Sequence, residues 1–195
     1  MSDSIVPSVF VSRDIPASAS DIFAVLANPA MHPRIDGTGM AQSATDEAVI
    51  TKVGDVFVLN MKHWSLGDYG MENHVVDFVL DRRIVWEPFA HTYQSAKFDE
   101  MVKHESPRET RYWGWELEPL EAKMTRVTEF YDGSRLSDGL RAFVKDGEFW
   151  RKGMVDSLEN LERLMVAPTS SVNANSTIDN STTPRNYYEE VQQSD

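Results

Sequence analysis

The spacing of apolar residues changes period twice along the chain, and the changes divide it into three stretches. Residues 9–15 read as a first strand that Pro16 ends. Ser18 to Asp21 gives a helix N-cap signal ahead of Ile22, Phe23, Val25 and Leu26, and Asn28-Pro29 stops that helix. A short helical turn over 30–35 and a turn at 36–39 follow.

From 40 to 132 the pattern is one of strands and turns. Strands are expected near 40–45, 55–64, 70–80, 83–90, 110–118 and 123–131, with turn residues at 52–55, 65–68, 80–82, 119–121 and 132–133. Short strands at regular spacing read as one curled antiparallel sheet. Residues 91–109 are charged and lack a period, and read as a long loop, a candidate lid.

The helical period then returns. Leu140, Phe143, Gly147, Trp150, Met154, Leu158, Leu161 and Met165 recur at three- and four-residue steps, forming one apolar stripe. Gly147 and Gly153 weaken it, which predicts a short helix over 137–145 and a longer one over 148–166, ended by Pro168. Beyond it the chain is rich in Ser, Thr, Asn and Gln and too poor in apolar residues to offset the entropy of ordering. The expected organisation is one domain over 1–167 and a disordered tail over 168–195. A seven-stranded sheet with one hydrophobic face needs a cover, and the long amphipathic helix is the element large enough to provide it. A twisted sheet around one helix seldom closes completely, so space is expected between them.

Composition narrows the function. The 195 residues suit one domain with an appendage. The net charge of −12 repels phosphate backbones and anionic headgroups, which speaks against nucleic acid or an acidic membrane as partner. No cysteine is present, so disulfides, thiol nucleophiles and Cys-ligated metals are excluded. The first residues lack a basic-then-apolar signal, and no apolar run approaches the roughly 18–20 residues of a membrane span. The sequons at Asn175 and Asn180 are then chance matches, and a cytoplasmic protein is expected. The five His show no HExxH spacing, the carboxylates no EF-hand loop, and there is no GxSxG, P-loop or strand-linked GxGxxG. No metal or cofactor is expected. The five Trp and nine Phe are the compositional feature of interest, because flat side chains fill cores and also line pockets for flat ligands.

The order of elements, with HPRIDGTG at 32–39, RIVWEP at 83–88, TRVTEFY at 125–131 and SLENL at 157–161, resembles the polyketide cyclase/dehydrase and lipid-transport family of the START/Bet v 1-like (SRPBCC) superfamily. The likeness is greatest to actinobacterial-type members and covers roughly residues 8–166. The resemblance implies an α+β helix-grip fold, a seven-stranded sheet wrapped around a long C-terminal helix, with a cavity for a hydrophobic ligand. It implies no single chemistry and carries over no catalytic position.

Candidate site residues come from strand parity. Trp113 and Trp115 share a face with Leu117, as do Trp86, Ile84 and Pro88, and each set reads either as core or as the wall of a cavity. Trp64 and Tyr69, where a strand meets a turn, either frame a cavity mouth or cover the sheet edge. Phe57, Leu59, Met61 and His63 form one row. Glu72 and His74 would join His63 as an acid/base cluster if their face, with Val76 and Phe78, pointed inward. The competing face of Met71, Asn73, Val75 and Val79 is nearly as apolar, and the register stays open. Glu129 shares a face with Val127 and Tyr131; directed inward, it would steer or protonate a ligand carbonyl, and directed outward it would be a solvated ion-pair partner. On the terminal helix Phe143, Trp150 and Met154 face the expected cavity. His32 and Asp36 are expected to be structural, with Pro33 fixing a turn, Asp36 capping, and Gly37 and Gly39 permitting a bend.

Three functions fit these readings. The first is a binder of a small hydrophobic ligand that also acts as a polyketide cyclase, by confinement and acid/base assistance. The second is a non-catalytic carrier or sensor. The third is an interaction or stress module with a vestigial cavity, which an interior lacking a pocket of about 300 Å³ would favour. The oligomeric state is open.

Overall fold

The computed structural model describes residues 5, 7–63, 67–93 and 110–167, with the main chain alone over 90–93. Trp64, most of the expected 91–109 loop, Pro168 and the tail lie outside the described residues.

Strand β1 (Val9–Ile15) leads into helix α1 (Ala19–Leu26), whose Asp21 N–H donates to the Ser18 hydroxyl cap. A 3-10 turn (Pro29–Met31) and the short helix α2 (His32–Ile35) follow. Six strands then run as β2 (Ala41–Ala44), β3 (Val56–His63), β4 (Gly67–Val79), β5 (Arg83–Tyr93), β6 (Tyr112–Glu121) and β7 (Met124–Asp132). Helix α3 (Asp138–Phe143), an irregular 3-10 stretch (Lys145–Trp150) and the long helix α4 (Arg151–Val166) complete the fold. The sheet order is β1-β7-β6-β5-β4-β3-β2, every pair antiparallel, so the first strand closes against the last. With α4 across the concave face, this is the helix-grip fold.

Two boundaries differ from the sequence pattern. The reversal expected at 119–121 lies at 122–123, because β6 absorbs an irregularity between Pro119 and Glu121 and keeps pairing. The long helix starts at Arg151 and not at 148, because Asp146 (φ 52°) and Gly147 (φ 97°) take left-handed conformations that interrupt it.

Strand β4 decides which side chains face the core. Val75 pairs with Trp86 but Asp77 pairs with Val85, so Val76 is an extra residue in the ladder. Such a bulge reverses side-chain parity beyond it. Tyr69, Asn73 and Val75 are buried on the inner face before the bulge. After it Phe78 is the inward residue, edge-on to Phe23 of α1 at 5.4 Å. The two candidate faces looked equally apolar because each supplies the core on one side of Val76.

Helix α4 buries Met154, Ser157, Leu158 and Leu161. Leu158 and Leu161 pack into the main core with Ile15, Ile22 and Leu26, while Met154 joins Val9, Tyr131 and Leu136 in a second cluster. Each such apolar side chain contributes about 1.5–3 kcal/mol by leaving water. The helix is held close by the loop after α2. A Cβ on Gly37 would stand 2.2 Å from the Gly153 carbonyl oxygen, and Gly37 N–H donates to the Ser157 hydroxyl at 2.9 Å. Gly37 is therefore needed for close approach to α4, and of the two glycines only Gly39 (φ 69°) serves the bend.

Candidate ligand cavity

Between the inner face of the sheet and α4 lies a cavity of about 180 Å³. Leu59 and Met61 of β3, Tyr69, Met71 and Asn73 of β4, and Trp86 and Pro88 of β5 form one wall. Trp113 and Trp115 of β6 with Glu129 and Tyr131 of β7 form the other, and Trp150 and Ser157 close it from the helical side. Residues of α2 and the following loop, His32, Ile35, Asp36 and Thr38 among them, complete the lining together with Arg111.

The aromatic walls are mutually braced. Trp86 stacks on His32 (5.6 Å, 26°) and meets the edge of Phe57 at 5.4 Å. Trp113 meets Tyr131 at 5.5 Å and Trp150 at 5.6 Å, both edge-to-face. Such pairs add roughly 0.5–1.5 kcal/mol each beyond burial and hold the rings in fixed planes. Behind Trp113, Gly114 faces the outer side, where a Cβ would strike Phe130 and Val85. The β6–β7 pairing at this point therefore depends on a glycine beneath the Phe130 ring.

Most polar groups in the lining are committed to holding the chain. His32 is buried and its Nε2 bonds the Leu26 carbonyl at 2.8 Å. Burial pushes its pKa below the ordinary histidine value, against the opposing pull of that carbonyl and of Asp36. Asp36 accepts from Thr38 N–H (2.9 Å) and Ala41 N–H (2.7 Å), tying the loop into β2. Asn73 donates to the Met71 carbonyl at 3.0 Å. The structural role expected for His32 and Asp36 is what these bonds show, yet both also border the cavity.

Glu129 is the exception. It is 3% exposed and points inward, so its outward reading as a solvated ion-pair partner is overturned. Oε1 accepts from Trp113 Nε1–H at 2.8 Å, whereas Oε2 is buried and makes no hydrogen bond. Burial pushes its pKa well above the ordinary carboxylate range. The Trp113 bond opposes that shift, the negative Asp36 adds to it, and the Ser157 hydroxyl opposes it more weakly. The protonated, neutral acid is the form this environment favours.

The acid/base cluster of His63, Glu72 and His74 does not form. Before the bulge the even-numbered residues of β4 face outward, and Glu72 and His74 bond each other there with side chains 39% and 42% exposed. His63 continues the inner row of β3, is half-buried, has its pKa lowered by burial, and lies outside the cavity lining. Phe143 is 62% exposed, because the left-handed residues after α3 turn that helix away from the stripe of α4. Met154 and Phe57 are buried in the core behind the cavity and do not border it. Leu59, Met61, Trp86, Trp113, Trp115, Glu129, Tyr131 and Trp150 do border it. Arg111 and Ser157 escaped the sequence reading as site residues, whereas Asn73 stood on the competing face of its strand that the structure turns inward. For Ser157 a signal existed: it lies three residues after Met154, in the middle of the apolar stripe.

Among the described residues no group of three or more His, Asp or Glu is placed to hold a metal ion, and no helix is long and apolar enough to cross a membrane.

No protein-family model matches the chain. It is 27% identical over 140 residues to uncharacterized protein Rv0088 of Mycobacterium tuberculosis, a match covering 70% of this chain and 53% of that protein. Uncharacterized protein MT0096 of another strain of that species matches to the same degree over 139 residues, so the chain spans about half the length of these curated relatives. Among solved structures, a protein from Arthrobacter aurescens superposes with a TM-score of 0.58 at 15% identity, over 87% of this chain and 91% of that one. Protein Ms6760 of Mycobacterium smegmatis gives 0.55 at 11% identity, over 83% and 91%. Ginseng major latex-like protein 151 from Panax ginseng gives 0.54 at 13% identity, over 81% and 96%. At these identities the structural likeness speaks for the fold alone, the helix grip described above.

Proposed function

We propose that this protein binds a small, largely apolar molecule in the cavity between the sheet and α4. The observation that carries this reading is a chamber walled by braced indole and apolar side chains, with a buried carboxyl set into it that burial drives toward its neutral form. Size limits the guest. About 180 Å³ falls short of the roughly 300 Å³ at which drug-sized sites begin, the side of that threshold on which the interaction-module reading was expected, but exceeds the ~150 Å³ apolar cavity that accepts benzene. The space suits a compound built on a single ring, and a folded polyketide chain would extend beyond it. Carriage or sensing of a small ligand is therefore favoured over ring closure of a long one.

A catalytic reading has one specific support. A protonated Glu129 beside a bound carbonyl is the arrangement that general-acid assistance needs. The family resemblance is compatible with either reading.

Titration of the protein with a panel of single-ring aromatics, short alcohols and fatty acids, followed by Trp fluorescence and calorimetry, tests the proposal. Saturable binding by at least one compound class, with quenching that Trp113→Phe alters, is the expected result. No saturation across the panel contradicts it and returns the interaction-module reading.

A further inference from the structure

Among the described residues three buried side-chain polar atoms make no hydrogen bond: Thr110 Oγ1, Glu129 Oε2 and Trp150 Nε1. The last two border the same cavity, and the Trp113 ring links them, bonding Glu129 through its N–H and packing edge-to-face on Trp150. Buried polar atoms are nearly always satisfied, and a pair left open in one chamber calls for a common partner.

The chemistry of that partner follows from which atoms donate. Indole N–H is a donor only. Among the described residues no cation offsets the burial of Glu129, the charge that acts on it being the negative Asp36, and an unpaired carboxylate in such a place is costly. Its Oε1 already accepts the Trp113 N–H, so a proton taken up by this acid would sit on Oε2. An acid O–H and an indole N–H then belong to one lining, beside the Ser157 hydroxyl, which accepts from Gly37 N–H and lies within reach of Glu129.

We propose that Glu129 Oε2–H and Trp150 Nε1–H form a two-donor seat for the carbonyl oxygen of an uncharged, ring-bearing ligand. The inference deepens the ligand-binding reading and depends on it. The Trp, Leu and Met side chains of the lining suit the hydrocarbon part of an aryl ketone, aldehyde or lactone, and the lining's His32, Asp36 and Asn73 are engaged in holding the chain. Arg111, also in the lining, offers the rival arrangement in which a carboxylate ligand is held by charge.

Three probes of nearly equal shape separate the outcomes: acetophenone, ethylbenzene and benzoate, titrated at pH 7.5 by calorimetry. Acetophenone should bind roughly five- to thirtyfold tighter than ethylbenzene, as expected for one to two good hydrogen bonds. Benzoate should bind at least about tenfold more weakly than acetophenone, its charge being costly in an apolar chamber. The carbonyl stretch of bound acetophenone should move to lower frequency than in a hydrocarbon solvent. Trp150→Phe keeps the ring and removes the N–H. It should reverse part of the frequency shift and lower acetophenone affinity roughly three- to tenfold, leaving ethylbenzene unchanged. Glu129→Gln, which can keep a donor at the same place, should retain the preference for the ketone, and Glu129→Met should lower it roughly three- to tenfold, leaving the share due to the Trp150 N–H.

Equal binding of acetophenone and ethylbenzene, with an unshifted carbonyl stretch, overturns the inference and leaves the cavity reading standing; an ordered water would then occupy the seat. Benzoate binding as tightly as the ketone overturns it in favour of Arg111. Binding by none of the three overturns the inference and the cavity reading together.

Discussion

Glu129 and Glu72 each bond an aromatic ring nitrogen, Trp113 Nε1 in one case and His74 Nε2 in the other, yet they lie on opposite faces of one sheet. On the outer face the Glu72–His74 pair is open to water, where such a pair contributes little, between nothing and about 1 kcal/mol. On the inner face Glu129 is shut beneath α4, half-satisfied, and driven toward its neutral form. Each is a strand glutamate bonded to a ring nitrogen, from a neighbouring strand in one case and from two residues along the same strand in the other; burial separates the surface pair from a group that can address a ligand.

The difference depends on the helix staying in place, so the largest effect is expected where helix and loop touch. Gly37→Ala puts a methyl against the Gly153 carbonyl and should cost about 3 kcal/mol or more in urea denaturation, opening the inner face with it. Trp113→Phe leaves both oxygens of Glu129 without a protein N–H donor and should cost about 2 kcal/mol by the same measure. Glu129→Gln should act in the other direction. The folded pKa of Glu129 lies above its unfolded value, so the folded state holds a proton that the unfolded chain has released, and wild-type stability declines as pH rises from about 4.5 towards the folded value. The variant lacks that decline. It should match wild type near pH 4 and gain about 1 kcal/mol by pH 8, as read by thermal melts. Glu72→Gln and His74→Ala, on the exposed face, should each stay within about 0.5 kcal/mol of wild type at any pH between 5 and 8. A large effect there would break the comparison.

Much of the fold was legible because it is written in period. Val9 to Ile15, the Ser18 cap and the stripe of Met154, Leu158 and Leu161 signal their elements by spacing alone. The site was legible only in part, for reasons that concern parity and close approach. The extra residue Val76 reverses the inward set of β4, and one inserted residue leaves no compositional trace, so Glu72 and His74 could not be told from Asn73. The left-handed Asp146 and Gly147 swing Phe143 out to solvent, although its position in the stripe matches that of the buried residues. Glu129 sits in a strand where Val127 and Tyr131 already marked an inner face; what spacing could not show was that, among the described residues, no cation offsets its burial there.

The indole N–H resonances of the 15N-labelled protein give the most direct reading of a ligand inside this chamber. On addition of acetophenone the Trp113 and Trp150 signals should shift together and saturably, with Trp150 moving downfield as its N–H gains an acceptor, and neither should move in the same way with ethylbenzene. If every indole resonance stays in place up to the solubility limit of the ketone, the cavity holds no such guest and the account fails.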